Sequence, residues 1–346
     1  PITPASPILE GLSQLKNFGV KSVQAEDEIA AMGVALGASF AGDLTVCATS
    51  GPGMCLKSEF IGLASITELP LIICNVQRGG PSTGLPTKTE QSDLLQALFS
   101  RHGDCPIPVL AAHSPSDCFD CAIEAARIAI TYMTPVILLS DLYVANGSEP
   151  WLIPNVSDLP VIENSFASTD EEYVIYRRDP KTLARSQAIP GQAGLEHRIG
   201  GLEKGEDGGV SYDPDNHEEM SLLRAQKIAG ISKSLNPIEI HGDQEGDLLV
   251  IGWGGTYGAI SSAVTNLREE GFSISNIHLR HLNPFPDDLG EIMSRFKKVI
   301  VPELNLGQLN LLLRAKYLVD VISYGKLQGK PFKVSELHEK FLEYLR

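Results

Sequence analysis

From Ser6 to Phe18 the apolar positions Ile8, Leu9, Leu12 and Leu15 line one face of a helix, with Ser6 and Pro7 as its cap and first turn. Strand-length apolar runs follow at 21–24, 44–49, 69–76, 107–111 and 135–140, and helical spacing fills 26–41, 54–66, 90–101 and 116–131 between them. Apolar strands alternating with helices predict a parallel sheet covered on both faces, a doubly wound α/β unit. The series opens with a helix where such a unit ordinarily opens with a strand, so residues 1–4 read as a loop whose strand is missing.

Between about 145 and 245 the periodicity fades, and Pro150, Pro154, Pro160, Pro180, Pro190 and Pro214 punctuate the chain. That length exceeds an ordinary linker and reads as an extended arm, with a short helix near 217–233. A second alternating unit follows: strands at 248–252, 274–279 and 298–302, helices at 257–270 and 307–318. The expected organisation is therefore 1–150, a Pro/Gly-rich arm over 151–245, and a smaller α/β domain over 246–346.

Composition narrows the function. With 43% hydrophobic and 21% charged residues the chain is globular rather than disordered. Its 43 acidic against 28 basic residues, net −15, repel polyanions, which argues against nucleic acid as a partner. The longest apolar stretch, 29–41, is shorter than the ~18 to 20 residues of a membrane helix, so no membrane span is expected. The six cysteines are dispersed, which fits a reducing cytoplasm and supplies no grouped ligands for a cluster or metal. The chain opens at Pro1 without a methionine and without a signal peptide, and is expected to be the later part of a longer polypeptide.

Five motifs invite chemical readings. Gly51-Pro-Gly-Met-Cys-Leu56-Lys57-Ser58 approaches a phosphate loop, but Leu56 stands where that motif has glycine, and a tight strand-to-helix turn explains the glycines. Such a turn still aims backbone N–H groups into the cleft at the strand ends. Gly252-Trp-Gly-Gly-Thr-Tyr-Gly258 has the wrong glycine spacing for a dinucleotide site and is read as close helix–sheet packing. Cys118 and Cys121 share one helical face and are read as buried structural thiols.

Glu26-Asp27-Glu28 opens a helix, and two readings stand: acids stabilised by the macrodipole, or a carboxyl partly buried by the small residues that follow and suited to proton traffic. The loop from Asn75 to Gln91 leaves the C-terminal end of a strand, where open parallel sheets bind ligands. Its Arg78, with the hydroxyls of Ser82, Thr83 and Thr87, favours an anion site.

Pro1-Ile-Thr-Pro4-Ala-Ser, Gln24-Ala-Glu-Asp-Glu28, Thr49-Ser-Gly-Pro-Gly53, Gln77-Arg-Gly-Gly-Pro-Ser-Thr-Gly-Leu-Pro-Thr87 and Leu282-Asn-Pro-Phe-Pro286 occur in that order over nearly the whole chain. Together they resemble the alpha subunits of 2-oxoacid:ferredoxin oxidoreductases, most closely the 2-oxoglutarate type. The resemblance implies a pyrimidine-type thiamine-diphosphate domain first and a transketolase C-terminal-like domain last. It implies oxidative decarboxylation of 2-oxoglutarate to succinyl-CoA, with electrons leaving to ferredoxin. Thr3, Glu28 and Arg78 would be catalytic, with Glu28 on the aminopyrimidine ring nitrogen and Glu26 as the alternative if the register slips. Arg78, Thr87 and Thr3 would hold the substrate, and Glu28, Gly51 and Gly53 the cofactor.

The family's tyrosine before Pro-Ile-Thr-Pro is absent, which leaves the first strand in question, and in some members a gamma domain precedes this point in the same chain. The chain also lacks a convincing Gly-Asp-Gly segment, since Gly205-Glu-Asp-Gly-Gly209 lies in the arm with Asn216 too near. Diphosphate, Mg2+ and a [4Fe-4S] cluster are therefore expected on a separate beta subunit, in a hetero-oligomer of two alpha and two beta chains, with coenzyme A as co-substrate. Arg101, His102, His197 and Arg198 are candidates for a second carboxylate, although His197 and Arg198 also read as tethers of the arm. His278, Arg280 and His281 read as structural. The alternatives are the same chemistry on pyruvate or a branched-chain 2-oxoacid, or a noncatalytic scaffolding subunit.

Overall fold

The computed structural model describes residues 1–164, 166–169 and 172–346. Four of the apolar runs form parallel strands, β1 (Thr45–Thr49), β2 (Leu71–Gln77), β3 (Val109–Ala111) and β4 (Pro135–Asp141), side by side in the order β1-β2-β4-β3. Helices α1 (Ser6–Ser13), α2 (Glu28–Phe40), α3 (Gly51–Leu56), α4 (Ser58–Thr67), α5 (Leu94–Phe99) and α6 (Asp117–Tyr132) accompany them. Strand side chains alternate between faces. Ile73, Ile137 and Leu139 therefore meet Met32 of α2, Ile61 of α4 and Leu94 of α5, while Ile72, Val136 and Leu138 meet Cys121, Ala125 and Ile128 of α6. This double burial is why β2 and β4 read as continuous apolar runs rather than alternating ones.

A single turn, α7 (Leu142–Ala145), and the arm helix α8 (Pro214–Gly230) complete this part. Strands β5 (Gly246–Trp253), β6 (Ile274–Leu279), β8 (Phe296–Glu303) and β9 (Val321–Gly325) form a second parallel sheet in the order β6-β5-β8-β9. The short β7 (His281–Asn283) between them leaves that sheet and pairs antiparallel with β3 at the edge of the first. Helices α9 (Tyr257–Glu269), α10 (Leu289–Ser294), α11 (Gln308–Tyr317) and α12 (Val334–Leu345) belong to this second unit. The chain thus has an α/β fold with two parallel sheets and one shared strand.

Some local expectations change. Residues 21–24 are not a strand: the segment has no pairing neighbour among the described residues, leaves Val23 exposed, and runs as coil to the head of α2. The helix expected over 54–66 is two helices parted at Lys57, because Pro52 sits in the first turn and starts α3 directly at Gly51. The strands β7 and β9 and the helices α7, α10 and α12 went unread. In α12, Leu337 and Phe341 are fully buried beside α9, each contributing about 1.5–3 kcal/mol by burial.

The arm is held by cations aimed at helix C-termini, where carbonyls lack intrahelical partners. Lys204 Nζ donates to Ile66 O at 2.9 Å and Arg185 Nε to Thr67 O at 3.3 Å, both at the end of α4. Gln187 donates to Ser39 O of α2 at 2.7 Å. Glu68, which ends α4 in the left-handed conformation at φ 53°, pairs with Arg178 and Lys227. Burial alone would raise its carboxyl, but those two cations bring it down to about 2.

The two sheet units are stitched at the C-terminal end of the first sheet. Gln91 exchanges backbone and side-chain hydrogen bonds with Leu304 (3.1 and 3.0 Å) and donates to Trp253 O at 2.7 Å. Buried Asp141, at the end of β4, accepts from Thr89 Oγ1 at 3.0 Å and from Gly255 N at 2.9 Å.

Candidate active site

The strand ends Thr49, Gln77 and Asp141 lie together along the C-terminal edge of the first sheet, where the loops after β1 and β2 leave it. After β1 the chain turns at Ser50 straight into α3. A Cβ on Gly53 would lie 2.1 Å from Thr49 Oγ1 and 2.9 Å from Glu28 Cγ, so only glycine lets both side chains close on this turn. A Cβ on Gly51 would lie 2.9 Å from Asp93 Oδ2.

The acids heading α2 divide the work that their sequence left open. Asp27 is the cap, its carboxylate accepting from Ala30 N at 2.8 Å. Half-buried Glu28 packs against Gly53, whereas Glu26 is exposed. The small residues of α2 permit the close approach expected of them: a Cβ on Gly33 would sit 3.2 Å from the Phe60 ring of α4.

After β2, Arg78 is buried and its Nη1 donates to the carbonyl of Thr3 at 2.8 Å, joining the 1–4 loop to the polar loop. The rest of that loop folds back on itself through Gly79 N to Lys88 O at 3.0 Å and Leu85 N to Gly79 O at 2.8 Å. Gly84, at φ 49°, is required there, since a Cβ would meet Gly79 O at 2.1 Å. Thr3, Ser82, Thr83 and Thr87 present exposed side chains.

Two further charged groups lie beside these loops, half-buried Asp93 and buried Lys57. Asn75 donates to Asp93 Oδ2 at 3.0 Å. Burial pushes the Asp93 carboxyl up and Glu90 adds to it, against the Asn75 hydrogen bond and Arg78. Lys57 is the other, buried behind the turn with Nζ 3.3 Å from Thr49 Oγ1. Asp93 carried no sequence signal beyond its place before α5, whereas Lys57 stood inside the motif that resembles a phosphate loop.

Among the described residues Ser50 Oγ, Asn75 Oδ1 and Arg78 Nε are buried without a hydrogen-bond partner. Buried polar atoms are ordinarily satisfied, so three of them around the ends of β1 and β2 fit a polar ligand bound there. A carboxyl at a helix head suits a protonatable ring nitrogen, and a buried guanidinium suits a carboxylate.

The other candidates lie elsewhere. Arg101 is spent on the carbonyls of Ala97, Leu98 and Cys105, and His102 pairs with Glu59 at 3.1 Å. His197 packs between Phe40 and Tyr173. Phe40 ends α2, about 18 Å along that helix from Glu28, so His197 tethers the arm rather than facing the cleft. Arg198 is exposed on the same arm. Gly254 and Gly255 pack the two units, as a Cβ on Gly255 would lie 2.5 Å from Asp141 Oδ2, whereas Gly252 packs within the second unit against His278 and Ile260. Arg280 pairs with Asp117 and His281 with Glu124 at 3.0 Å, both structural. Burial pushes the Cys118 thiol up to about 11. Among the described residues no group of three or more His, Cys, Asp or Glu is placed to hold a metal, and no helix is long and apolar enough to cross a membrane.

Residues 1–209 match the family "Pyruvate flavodoxin/ferredoxin oxidoreductase, thiamine diP-bdg", and residues 246–337 match "Pyruvate:ferredoxin oxidoreductase core domain II". The fold is therefore that of an α/β subunit whose first part belongs to the thiamine-diphosphate-binding family. The chain is 57% identical over 97% of its length to the 2-oxoglutarate oxidoreductase subunit KorA of Mycobacterium tuberculosis, covering 52% of that protein. It is 36% identical over 89% of its length to the 2-oxoglutarate synthase subunit KorA of Archaeoglobus fulgidus, covering 82% of it.

A solved 2-oxoglutarate:ferredoxin oxidoreductase from Magnetococcus marinus, with 2-oxoglutarate, coenzyme A and succinyl-CoA bound, superposes over the whole chain with a TM-score of 0.97 at 37% identity, covering 61% of that chain. A split-gene transketolase shares the fold at a TM-score of 0.51. The chain belongs to the 2-oxoacid:ferredoxin oxidoreductase family, among its alpha, or KorA, subunits. It spans about half the length of the M. tuberculosis relative.

Proposed function

We propose that this chain is the alpha subunit of a 2-oxoglutarate:ferredoxin oxidoreductase, which converts 2-oxoglutarate to succinyl-CoA and passes the electrons to ferredoxin. The observation that carries the site is Arg78: buried at the sheet's C-terminal end, joined to Thr3, and with an Nε that has no partner among the described residues. The choice of 2-oxoglutarate is supported by the names of the KorA relatives and by the bound ligands of the Magnetococcus enzyme.

Thiamine diphosphate supplies a carbon nucleophile and an electron sink for decarboxylation when it is bound. The work of this chain is to place the reactants. Glu28 holds a proton against the aminopyrimidine ring nitrogen, and the Gly51–Gly53 turn leaves room for the ring. Arg78 grips the carboxylate next to the oxo carbon, with Thr3 and Thr87 beside it. Residues 1–150 form the pyrimidine-type domain, 151–245 the arm, and 246–346 the transketolase C-terminal-like domain. A beta subunit contributes the diphosphate and Mg2+ site and the [4Fe-4S] cluster, in an assembly of two alpha and two beta chains.

The test is reconstitution with the beta subunit encoded beside it. Ferredoxin reduction that depends on both 2-oxoglutarate and coenzyme A, and that exceeds the rate on pyruvate and branched-chain 2-oxoacids, supports the assignment. Faster turnover of pyruvate reassigns the substrate, and undiminished activity without this chain leaves it a scaffold.

A further inference from the structure

Asn75 is fully buried, and only one end of its amide is used. Nδ2 donates to Asp93 Oδ2 at 3.0 Å, while Oδ1 has no hydrogen-bond partner among the described residues. A buried amide oxygen left unpaired is costly, so one kept near a strand end calls for a donor from outside the chain. The amide cannot turn over to relieve it, because its oxygen would then face the carboxylate of Asp93. Asp93 is itself fixed: its backbone N–H donates to Gln77 Oε1 at 3.1 Å, and Gln77 Nε2 donates to Ser140 O of β4 at 3.2 Å. The end of the amide that stays open is therefore an acceptor.

Its place in the sheet ties it to the candidate site. Asn75 is in register with Thr49, the last residue of β1, beside the turn that follows. A Cβ on Gly51 would lie 2.9 Å from Asp93 Oδ2, and one on Gly53 would lie 2.9 Å from Glu28 Cγ. Residues two apart in a helical turn point to nearly opposite sides, so the Asn75–Asp93 pair and Glu28 flank the same turn from two sides. Arg78, with an open Nε, can only donate and suits a carboxylate, whereas the open Asn75 Oδ1 can only accept. A 2-oxoacid anion has no hydrogen to give it. The aminopyrimidine does: its exocyclic amino group lies across the ring from the nitrogen assigned to Glu28.

We propose that Asn75 is a cofactor-binding residue whose Oδ1 accepts a hydrogen bond from that exocyclic amino group, and that Asp93 is a positioning residue that holds the amide in the accepting orientation. The inference rests on the assignment of Glu28 to the ring nitrogen given above, and gives the far end of the ring a partner in this chain.

The test is calorimetric binding of thiamine diphosphate and of oxythiamine diphosphate to the complete alpha–beta complex with Mg2+. Oxythiamine carries oxygen in place of the exocyclic amino group and shares the thiazolium and diphosphate, so the ratio of the two dissociation constants reads the end of the ring that Asn75 meets. The unmodified complex is expected to prefer thiamine diphosphate. Asn75→Leu is expected to cut that preference about fivefold, through weaker binding of thiamine diphosphate alone. Asp93→Asn, which still accepts from Asn75 Nδ2, is expected to keep the preference, and Asp93→Leu to lose part of it. Equal binding of the two compounds by the unmodified complex overturns the proposal even if no variant assembles. So does a folded Asn75→Leu complex that keeps the full preference or loses affinity for both compounds alike, and an undiminished preference in a folded Asp93→Leu complex overturns the positioning role. A complex that binds neither compound removes the thiamine reading itself and the inference with it, an outcome distinct from binding both equally.

Discussion

At the scale of single residues the proposed site assigns different duties to two charges. Arg78, in that proposal, would grip a group that is ionised before and during the reaction, so Arg78→Ala should act mainly on substrate binding. Loss of a charged hydrogen-bond donor, about 3 kcal/mol, corresponds to a KM for 2-oxoglutarate raised about 10²-fold with a smaller change in kcat. Steady-state kinetics on the reconstituted complex checks this, and an unchanged KM removes Arg78 from the substrate site. In the same proposal Glu28 would act on proton position, so Glu28→Gln should lower kcat by about 10² to 10⁴-fold while leaving KM near its starting value. Arg78 was legible because its Gly-rich loop follows a strand end. The division of the acids was not, since Asp27 and Glu28 differ by one helical step, and only the packing of α2 on α3 tells the cap from the cleft carboxyl.

At the scale of elements, the C-terminus of α4 decides how an irregular arm becomes part of a compact molecule. Glu68, fully buried between Lys227 and Arg178, has its folded value held at about 2 against an ordinary 4.5. A carboxyl depressed on folding contributes stability that is fully present above its unfolded value and is lost as pH falls through the folded one. That contribution, roughly 3 kcal/mol at 1.36 kcal/mol per pH unit, should therefore fade between about pH 4.5 and 2. Lys227→Met strands the buried carboxylate beside Arg178 alone and should cost about 3–5 kcal/mol. Chemical denaturation at neutral pH measures the loss, and limited proteolysis should show the arm released first. The cations of the arm were visible in the sequence, but their partner, a glutamate in the left-handed conformation more than a hundred residues earlier, was not.

Across the whole molecule, the two sheet units share a strand, a core and the buried Asp141 contact, so the second unit bears on the loop that carries Arg78. Gly255→Ala places a methyl 2.5 Å from Asp141 Oδ2, where the backbone of the turn and a buried carboxylate leave no space. The expected cost is about 1–3 kcal/mol. Because Asp141 also holds Thr89, at the foot of the polar loop, the same substitution should raise the KM for the oxoacid, and calorimetric unfolding together with kinetics reads both effects. The α/β alternation of both units was plain in the hydrophobic pattern. The antiparallel β7 was not, since three residues carry no periodicity and their pairing with β3 is set by contacts about 170 positions apart.

By itself the sequence determined the strand and helix order, the parallel sheets, the strand-end loops where a ligand would sit, and the motif series that places the chain in its family. These are local properties, written in residue spacing of two or about 3.6 and in short runs of glycine, proline and hydroxyl side chains. Only the tertiary structure decided which acid at the head of α2 packs against the Gly51–Gly53 turn, how Arg78 meets Thr3, and that Lys57 lies buried beside Thr49 with no ion pair among the described residues. The reason is physical: those relations depend on burial and on distances between segments far apart in the chain, and a residue's charge environment is a property of what packs around it.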